Sequence, residues 1–230
     1  MGKWRVYAGV LVLGLGVAVL VYCMFSSHEP AYEGRSLSEW VGRYSPGQYT
    51  ITRAQVEETD AAVRHMGADA VPFLMTWIRY ERPGMWKRRL YHILEHLTGG
   101  RSRKWMISDV ERAARAMNAT YALRALGPQA AGAARELTRL LNDEKRYNTA
   151  MRAANALGGI GNAGVLPLVS VLTNEQSSEE FTAVAAFHLE SMGTNAVGAL
   201  QALLTNDEPA VRRLARNALL KIDPEALNRR

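Results

Sequence analysis

A short pattern that recurs from about residue 50 onwards restricts the fold of this 230-residue chain more than any other feature. Each copy has an amphipathic run rich in alanine and leucine, then a turn that usually contains glycine, and then an apolar triad spaced i, i+3, i+4. This spacing places the triad on one side of a helix and predicts a buried stripe. The turn occurs at residues 66–71, 126–131, 160–165, 192–197 and 222–227.

Two kinds of signal predict where the helices of each copy begin and end. The turn glycine is expected to end the first helix, because glycine readily takes the positive φ found after a helix C-terminus. Pro72 and Pro128 fit the start of the following helix, where a missing N–H costs little. Pairs with the spacing of capping boxes predict helix starts at Thr52…Gln55, Ser108…Glu111 and Ser177…Glu180.

The repeating unit is therefore a helix, a tight turn and a second helix, whose apolar stripe is buried only when neighbouring units stack. The stripe begins seven residues after the glycine in three copies, and three residues later than that in the copy at Gly127. The stripes comprise Leu74, Trp77 and Ile78; Leu137, Leu140 and Leu141; Leu168, Val171 and Leu172; and Leu200, Leu203 and Leu204. This pattern predicts an all-α fold in which helical hairpins stack into a superhelix.

Over about residues 54–227 the pattern resembles HEAT repeats, in the short form also found in HEAT-like phycobilisome-lyase repeat proteins. The turns follow one another at 34, 32 and 30 residues, and the usual HEAT length is about 40, so the short form fits better. The resemblance implies a right-handed α-solenoid over residues 52–230. Its repeats are expected at about 52–80, 84–107, 108–142, 144–174, 178–206 and 208–230.

The repeat at 84–107 is expected to be degenerate, because Gly67 and Gly127 are 60 residues apart, nearly two periods. Residues 85–97 are predicted to form one helix, followed by an inserted basic loop at 98–104. The next helix is then expected to begin at about Asp109. This interval is the irregular part of the array.

Residues 28–51 are expected to form a linker with one short capping helix. The segment from Tyr32 to Trp40 is similar to the Tyr-x-Gly-Lys-x-Leu-x-x-Trp box that opens many uncharacterised bacterial HEAT-like proteins, with Arg35 at the lysine position. Ser36 and Glu39 have the spacing of a capping box. Trp40 is expected to cover the open end of the stack, since terminal repeats need capping; a binding role for Trp40 is the alternative.

Residues 6–25 form an uncharged run of twenty residues, long enough for a helix to cross a bilayer. Lys3 and Arg5 precede this run, and positive charge on that side favours a cytoplasmic N-terminus. Residues 1–27 are therefore predicted to be a cytoplasmic stub and a single anchor in the inner (plasma) membrane, with the remaining domain extracytoplasmic. A cleaved signal peptide and a lipoprotein modified at Cys23 are the alternatives, but the small residues that such sites need are missing.

Motifs that would indicate catalysis are weak. His92-x-x-Glu95-His96 has the spacing of the inverted zincin motif, but the surrounding residues have the pattern of a repeat core. The single cysteine excludes a zinc site built on several thiolates. Deoxyhypusine hydroxylases, which are HEAT-repeat enzymes, hold iron with repeated His-Glu pairs, and this chain has one such dipeptide, at His28. We therefore expect no enzymatic activity, no metal and no cofactor.

Two surfaces are candidate interaction sites. The second helices are expected to line the inner curve, with exposed side chains that include Met75, Thr76, Arg139 and Gln201. Between residues 79 and 115 there are ten basic residues against four acidic ones, with aromatic residues among them. This composition is typical of surfaces for nucleic acid or anionic lipid, and also of a merely solvated face. The basic candidates are Lys87, Arg88, Arg89, Arg101, Arg103 and Lys104.

These features together predict a membrane-anchored HEAT-repeat scaffold that mediates protein–protein interaction at the extracytoplasmic face of a bacterial membrane. The expected partner is an unidentified protein, with anionic lipid headgroups as a second possibility. A small-molecule ligand is not expected, and neither is nucleic acid, because the domain is predicted to lie outside the cytoplasm. The alternatives are an enzyme or an enzyme-accessory subunit on the same scaffold, and after these a nucleic-acid-binding module.

Overall fold

The computed structural model describes residues 29–44, 51–82 and 103–228, together with Gly84, Arg89 and Ile93; for residues 103–108 and 144 it describes the backbone alone. Over these residues the chain is mostly helical, and its strands are the two-residue pair β1 and β2. The prediction of an all-α fold is thereby confirmed. Among the residues described, no helix is long and apolar enough to cross a membrane, and the predicted anchor at 6–25 lies outside them.

The elements follow one another in the order that the repeat pattern predicts. The chain begins with β1 (Ala31–Tyr32), β2 (Arg35–Ser36) and the short helix α1 (Leu37–Gly42). The longer helices are α2 (Arg53–Met66), α3 (Val71–Ile78), α4 (Arg103–Leu126), α5 (Ala134–Leu141), α6 (Tyr147–Leu157), α7 (Val165–Leu172), α8 (Glu179–Ser191), α9 (Thr194–Leu203) and α10 (Pro209–Ile222). Short 3₁₀ segments lie at Gly67–Ala70, Gly127–Ala133, Glu144–Arg146, Gly161–Gly164 and Pro224–Leu227.

The N-terminal hairpin and α1 pack onto the first long helices. The Ser36 hydroxyl accepts from the N–H of Glu39, and the Glu39 carboxylate accepts from the N–H of Ser36, so the predicted capping box is present. Trp40 is buried at 1% exposure, and its indole N–H donates to the carbonyl of Tyr32 over 2.9 Å. Because α1 contacts α2 and α4, Trp40 serves as a core residue of this end of the domain.

The turn glycine closely follows the first helix at Gly67, Gly127 and Gly193, as the sequence predicts, whereas α6 already ends at Leu157, four residues before Gly161. Gly67, Gly127, Gly161 and Gly193 have φ between 56° and 74°, a conformation that side chains with a Cβ rarely take. The three additional residues after Gly127 lengthen the 3₁₀ segment from four residues, as at Gly67 and Gly161, to seven. The apolar stripe therefore keeps its register on α5.

The second helix of each unit packs against the first helix of the next one. The contacts are α3 with α4, α5 with α6, α7 with α8, and α9 with α10. Successive first helices also touch, as α2 with α4, α4 with α6, α6 with α8, and α8 with α10. The core runs along these contacts, and the predicted apolar triads lie in it: all are buried except Trp77 and Leu204, which are half-buried.

Three expected helix boundaries need comment. Thr52 and Gln55 form the predicted capping box of α2. Ser108 was expected to start a helix, and this is wrong: α4 already begins at Arg103, since the residues before Ser108 have adequate helix propensity. Ser178, and not Ser177, caps α8 by accepting from the N–H of Phe181. Most of the predicted degenerate repeat 84–107 lies outside the described residues, and its last residues belong to α4.

Candidate functional site

Only some of the residues that the second helices were expected to expose on the inner surface are exposed in the structure. The residue directly after the first member of each apolar triad is buried or half-buried, at Met75, Thr138, Val169 and Gln201, because it lies one turn before the last residue of the stripe on the same side of the helix. Met75 illustrates this: it is 6% exposed and belongs to the core, so its prediction as a surface residue is wrong. The residue nine positions after the glycine is exposed at Thr76, Ser170 and Ala202, and Arg139 takes the same place in the longer unit.

Arg139 lies in a small ion-pair network. Its guanidinium contacts the Glu136 carboxylate at 2.6 Å, and Arg79 at the end of α3 contacts the same carboxylate at 2.8 Å. The hydrogen bond from Arg139 lowers the pKa of Glu136 and raises the pKa of Arg139. Because these side chains are exposed, the pairs contribute little to stability. They do connect the end of α3 to α5 at the surface.

Gln201 has a structural partner at the C-terminal end. Its side-chain amide donates to the carbonyl of Ala226 over 2.7 Å, and the side chain is half-buried. The bond attaches the last 3₁₀ segment to α9. The expectation that the Gln201 side chain is exposed is therefore corrected.

The basic candidates fall largely outside the described residues. Lys87, Arg88 and Arg101 lie outside them, Arg89 is exposed, and Arg103 and Lys104 are in the first turn of α4, where only the backbone is described. The His92 and His96 pair also lies outside. Over the part of the chain that the structure does describe, no group of three or more His, Cys, Asp or Glu side chains is placed to hold a metal ion.

A buried polar network links the end of α3 to the start of α6. The Glu81 carboxylate accepts from the N–H of Thr149 at 2.7 Å and from its hydroxyl at 2.5 Å, so it caps a helix whose own N-cap residue gives no side-chain bond. Arg152 is 8% exposed and donates to the carbonyls of Ile78 and Tyr80. Burial lowers its pKa, while Glu81 at 3.6 Å opposes that effect.

A pocket of about 630 Å³ opens at the first boundary, which is the contact between α2 and α4. Tyr44 forms part of its wall and donates its hydroxyl to Asp60 over 2.6 Å; burial, followed by the bond to Asp60, raises the pKa of Tyr44. The ring of Tyr121 lies 5.8 Å from that of Tyr44 and is 44% exposed. Among the described residues the lining comprises Tyr44, Ile51, Val56, Asp60, Arg64, Tyr121, Arg124 and Ala125.

Two arginines of this pocket occupy the same repeat position, three residues before the turn glycine. Arg64 precedes Gly67 and Arg124 precedes Gly127 in this way. Both side chains are exposed, and neither has a salt-bridge partner among the described residues. Within the described part of the chain, both guanidiniums thus keep hydrogen-bond donors that could bind an anion.

The last boundary, between α8 and α10, also has a pocket, and its charged residues differ. Glu190 stands three residues before Gly193, and Lys221 of α10 contacts its carboxylate at 2.9 Å. Both line a pocket of about 480 Å³ beside the exposed ring of Phe187. Here the charged groups neutralise one another within the protein.

The central boundary, formed by α4, α6 and α8, is closed. Gly158 and Gly159 stand at the corresponding place directly after α6. A Cβ at Gly158 would lie 2.5 Å from Cγ of His188, and a Cβ at Gly159 would lie 2.7 Å from Cα of Arg124. His188 is 2% exposed and contacts the Asn155 side chain at 2.7 Å. Burial, with the charge of Arg124, lowers the pKa of His188 to about 4. The ring is neutral at pH 7.

The pocket residues were not singled out from the sequence, although one signal was present. Aligning the units on their turns places Arg64, Arg124, Gly158 and Glu190 in one column. The residues in this alignment column change from basic to acidic along the chain. The alignment does not show whether an acidic side chain lies close enough to pair with either arginine. No protein-family model matches this chain, and no curated protein matches it.

Proposed function

We propose that this chain is a membrane-anchored scaffold, built as a right-handed α-solenoid of HEAT-like repeats, that binds a protein partner at the extracytoplasmic face of a bacterial membrane. The anchor in this proposal is the apolar run at 6–25. The orientation depends on Lys3 and Arg5, because positive charge favours the cytoplasmic side.

The order of helix contacts supports the solenoid. Each second helix contacts the next first helix, and successive first helices also contact one another. Such nearest-neighbour packing is typical of stacked repeats, in which each unit touches mainly its neighbours. The repetition of the positive-φ glycine at four turns supports the same arrangement.

The observation that carries the binding proposal is a row of exposed residues at one repeat position. Thr76, Arg139, Ser170 and Ala202 lie on successive second helices, and each is exposed. Three of the four are small, so a partner's backbone or side chains could approach closely. Solenoids use such extended surfaces to bind partners.

Site-specific photo-crosslinking in membranes tests this function. A photoreactive residue is placed at Thr76, Ser170 or Ala202, and at Ala183, an exposed residue of α8, as the matched control on a first helix. We expect the three positions to crosslink to one and the same protein, and Ala183 to give no such product. Equal crosslinking from both sets, or products only with lipid, would contradict the proposal.

The predicted topology has a separate test. Reporter enzymes fused after Arg230 are expected to be active only if they function outside the cytoplasm. Replacing Lys3 and Arg5 with glutamate should reduce that asymmetry, because the orientation depends on these charges. A reporter active only in the cytoplasm would place the domain on the other side of the membrane.

A further inference from the structure

We propose that the pocket at the first boundary binds a small aromatic carboxylate, whose charged group is held by Arg64 and Arg124. A small-molecule ligand is not expected from the sequence, and this proposal does not depend on the scaffold function. A pocket of about 630 Å³ is within the range of small-molecule sites, which are roughly 300–1,000 Å³.

Charge selects the anionic class of ligand. Arg64 and Arg124 both line the pocket, and neither has an acidic partner among the described residues. The carboxylate of Asp60 also lines the pocket, but it already accepts the hydroxyl of Tyr44. Two guanidiniums and one carboxylate leave one uncompensated positive charge, which matches a monoanion such as a carboxylate better than a phosphate dianion.

The rest of the lining favours a ligand that carries an aromatic ring. The exposed ring of Tyr121 offers a surface on which a planar group can stack. Ile51, Val56 and Ala125 supply apolar wall. Tyr44 is fixed by its bond to Asp60 and by its contact with Tyr121, so this part of the pocket is already ordered before a ligand enters.

The last boundary shows why the two arginines matter. At the same repeat position Glu190 is paired with Lys221 at 2.9 Å. Lys221 is the cation among the described lining residues of that pocket, and it already has its carboxylate partner. Both pockets are grooves between units, but only the first has arginines without an acidic partner among the described residues. We therefore expect anion binding at the first pocket and not at the last.

Calorimetric titration of the full chain in detergent with 2-naphthoate is the test. Naphthamide serves as the neutral analogue, acetate as the anion without a ring, and inorganic phosphate as the anion of a different class. We expect naphthoate to bind most tightly and naphthamide at least about tenfold more weakly, as for the loss of a charged hydrogen bond. Equal binding of naphthoate and naphthamide would overturn the proposal.

Variants assign the binding to the pocket. Arg64→Gln should weaken naphthoate binding at least about tenfold, and Arg64→Lys should fall between, because lysine keeps the charge but loses the planar fork. Arg216→Gln, at an exposed arginine of α10, is the matched control and should bind as the wild type does. Unchanged binding in Arg64→Gln would overturn the proposal.

Two further outcomes would also overturn it. If a glutamate-rich peptide binds through Arg64 while naphthoate does not, the pocket is part of a protein interface. If phosphate binds more tightly than naphthoate, the site has the wrong anion class. The melting temperature of each variant without ligand shows whether its fold is intact, and Tyr121→Ala gives a second, independent variant that should weaken naphthoate but not acetate.

Discussion

The first and central boundaries have the same helix arrangement but differ in what fills them. At the first boundary, Arg64 and Arg124 stand three residues before their turn glycines and line an open pocket. At the central boundary the corresponding residue is Gly158, and a Cβ there would lie 2.5 Å from the ring of His188. One repeat position therefore decides whether a boundary is open or closed.

This difference separates the boundary for which we propose ligand binding from one whose contacts stabilise the domain. The central boundary has a buried polar pair with defined partners, His188 with Asn155, and the neighbouring link between α3 and α6 has another, Arg152 with the carbonyl of Ile78. Removing one partner of such a group leaves the other buried without a hydrogen bond, which is costly. The first boundary has exposed charges, whose removal costs little stability.

The largest effect is expected from opening the central boundary. Gly159→Ala places a methyl group 2.7 Å from the Arg124 backbone, so the free energy of unfolding should fall by about 3 kcal/mol, the upper part of the range for overpacking. The measurement is denaturant unfolding of the full chain. Gly198→Ala, in α9 with no atom within 4 Å of the new methyl, is the control and should be neutral or stabilising. Equal effects at both glycines would refute the close packing.

Acid is expected to weaken the central boundary through His188. Its pKa is about 4 in the folded chain, against an ordinary value of 6.5, so the unfolded chain binds the proton more readily. The contribution is therefore full above pH 6.5 and is lost as pH falls towards 4. We expect a loss of about 2–3 kcal/mol by about pH 4.5.

The comparison with His188→Gln isolates this effect from the titration of carboxylates. The variant should be less stable at pH 7, and its stability should fall less between pH 7 and pH 4.5. Arg64→Gln, at the first boundary, should keep the wild-type pH dependence. Parallel curves for wild type and His188→Gln would show that the histidine does not couple protonation to folding.

The sequence predicted the parts of this fold that depend on local rules. Turn glycines, the capping boxes at Ser36 and Thr52, and the apolar stripes follow from residue type and spacing, and the structure confirms them. Met75 was placed wrongly because the side of α3 that neighbouring helices cover is wider than the predicted triad and includes the residue one turn before Ile78. Gln201 was misjudged because its partner, Ala226, is on a different element.

The candidate pocket could not be predicted for the same reason. Tyr44, Asp60 and Tyr121 come from three helices or their ends, and nothing in their spacing links them. Glu81 caps a helix 68 residues away in sequence, so no local capping pattern indicates it. Local patterns define the units, whereas the side chains that meet between units depend on how those units stack.

The link between α3 and α6 allows a comparison of how much a largely buried ion pair and an exposed one contribute to the free energy of unfolding. Glu81→Ala removes the cap on Thr149 and leaves Arg152 without its carboxylate, so it should destabilise by about 2 kcal/mol. Glu57→Ala breaks the exposed pair with Arg53 and should cost only about 0.3 kcal/mol. Denaturant unfolding of the two variants measures the difference; similar costs would mean that Glu81 is not a structural cap.

The smallest effect should come from making the first boundary resemble the last. Arg64→Glu gives the pocket an acidic residue at the position of Glu190, which pairs with Lys221. The new carboxylate should interact favourably with Arg124 and stabilise the chain by about 0.5 kcal/mol, the size of an exposed pair. Because the interaction is screened by ions, the gain should shrink when unfolding is measured at about 1 M salt.

The opposite sign is expected at the last boundary. There Lys221→Glu should destabilise the chain by a similar amount, since it places two carboxylates side by side. If Arg64→Glu raises the stability and abolishes naphthoate binding, the two arginines serve a ligand and not the fold. If Arg64→Glu changes neither stability nor binding, Arg64 and Arg124 do not act together.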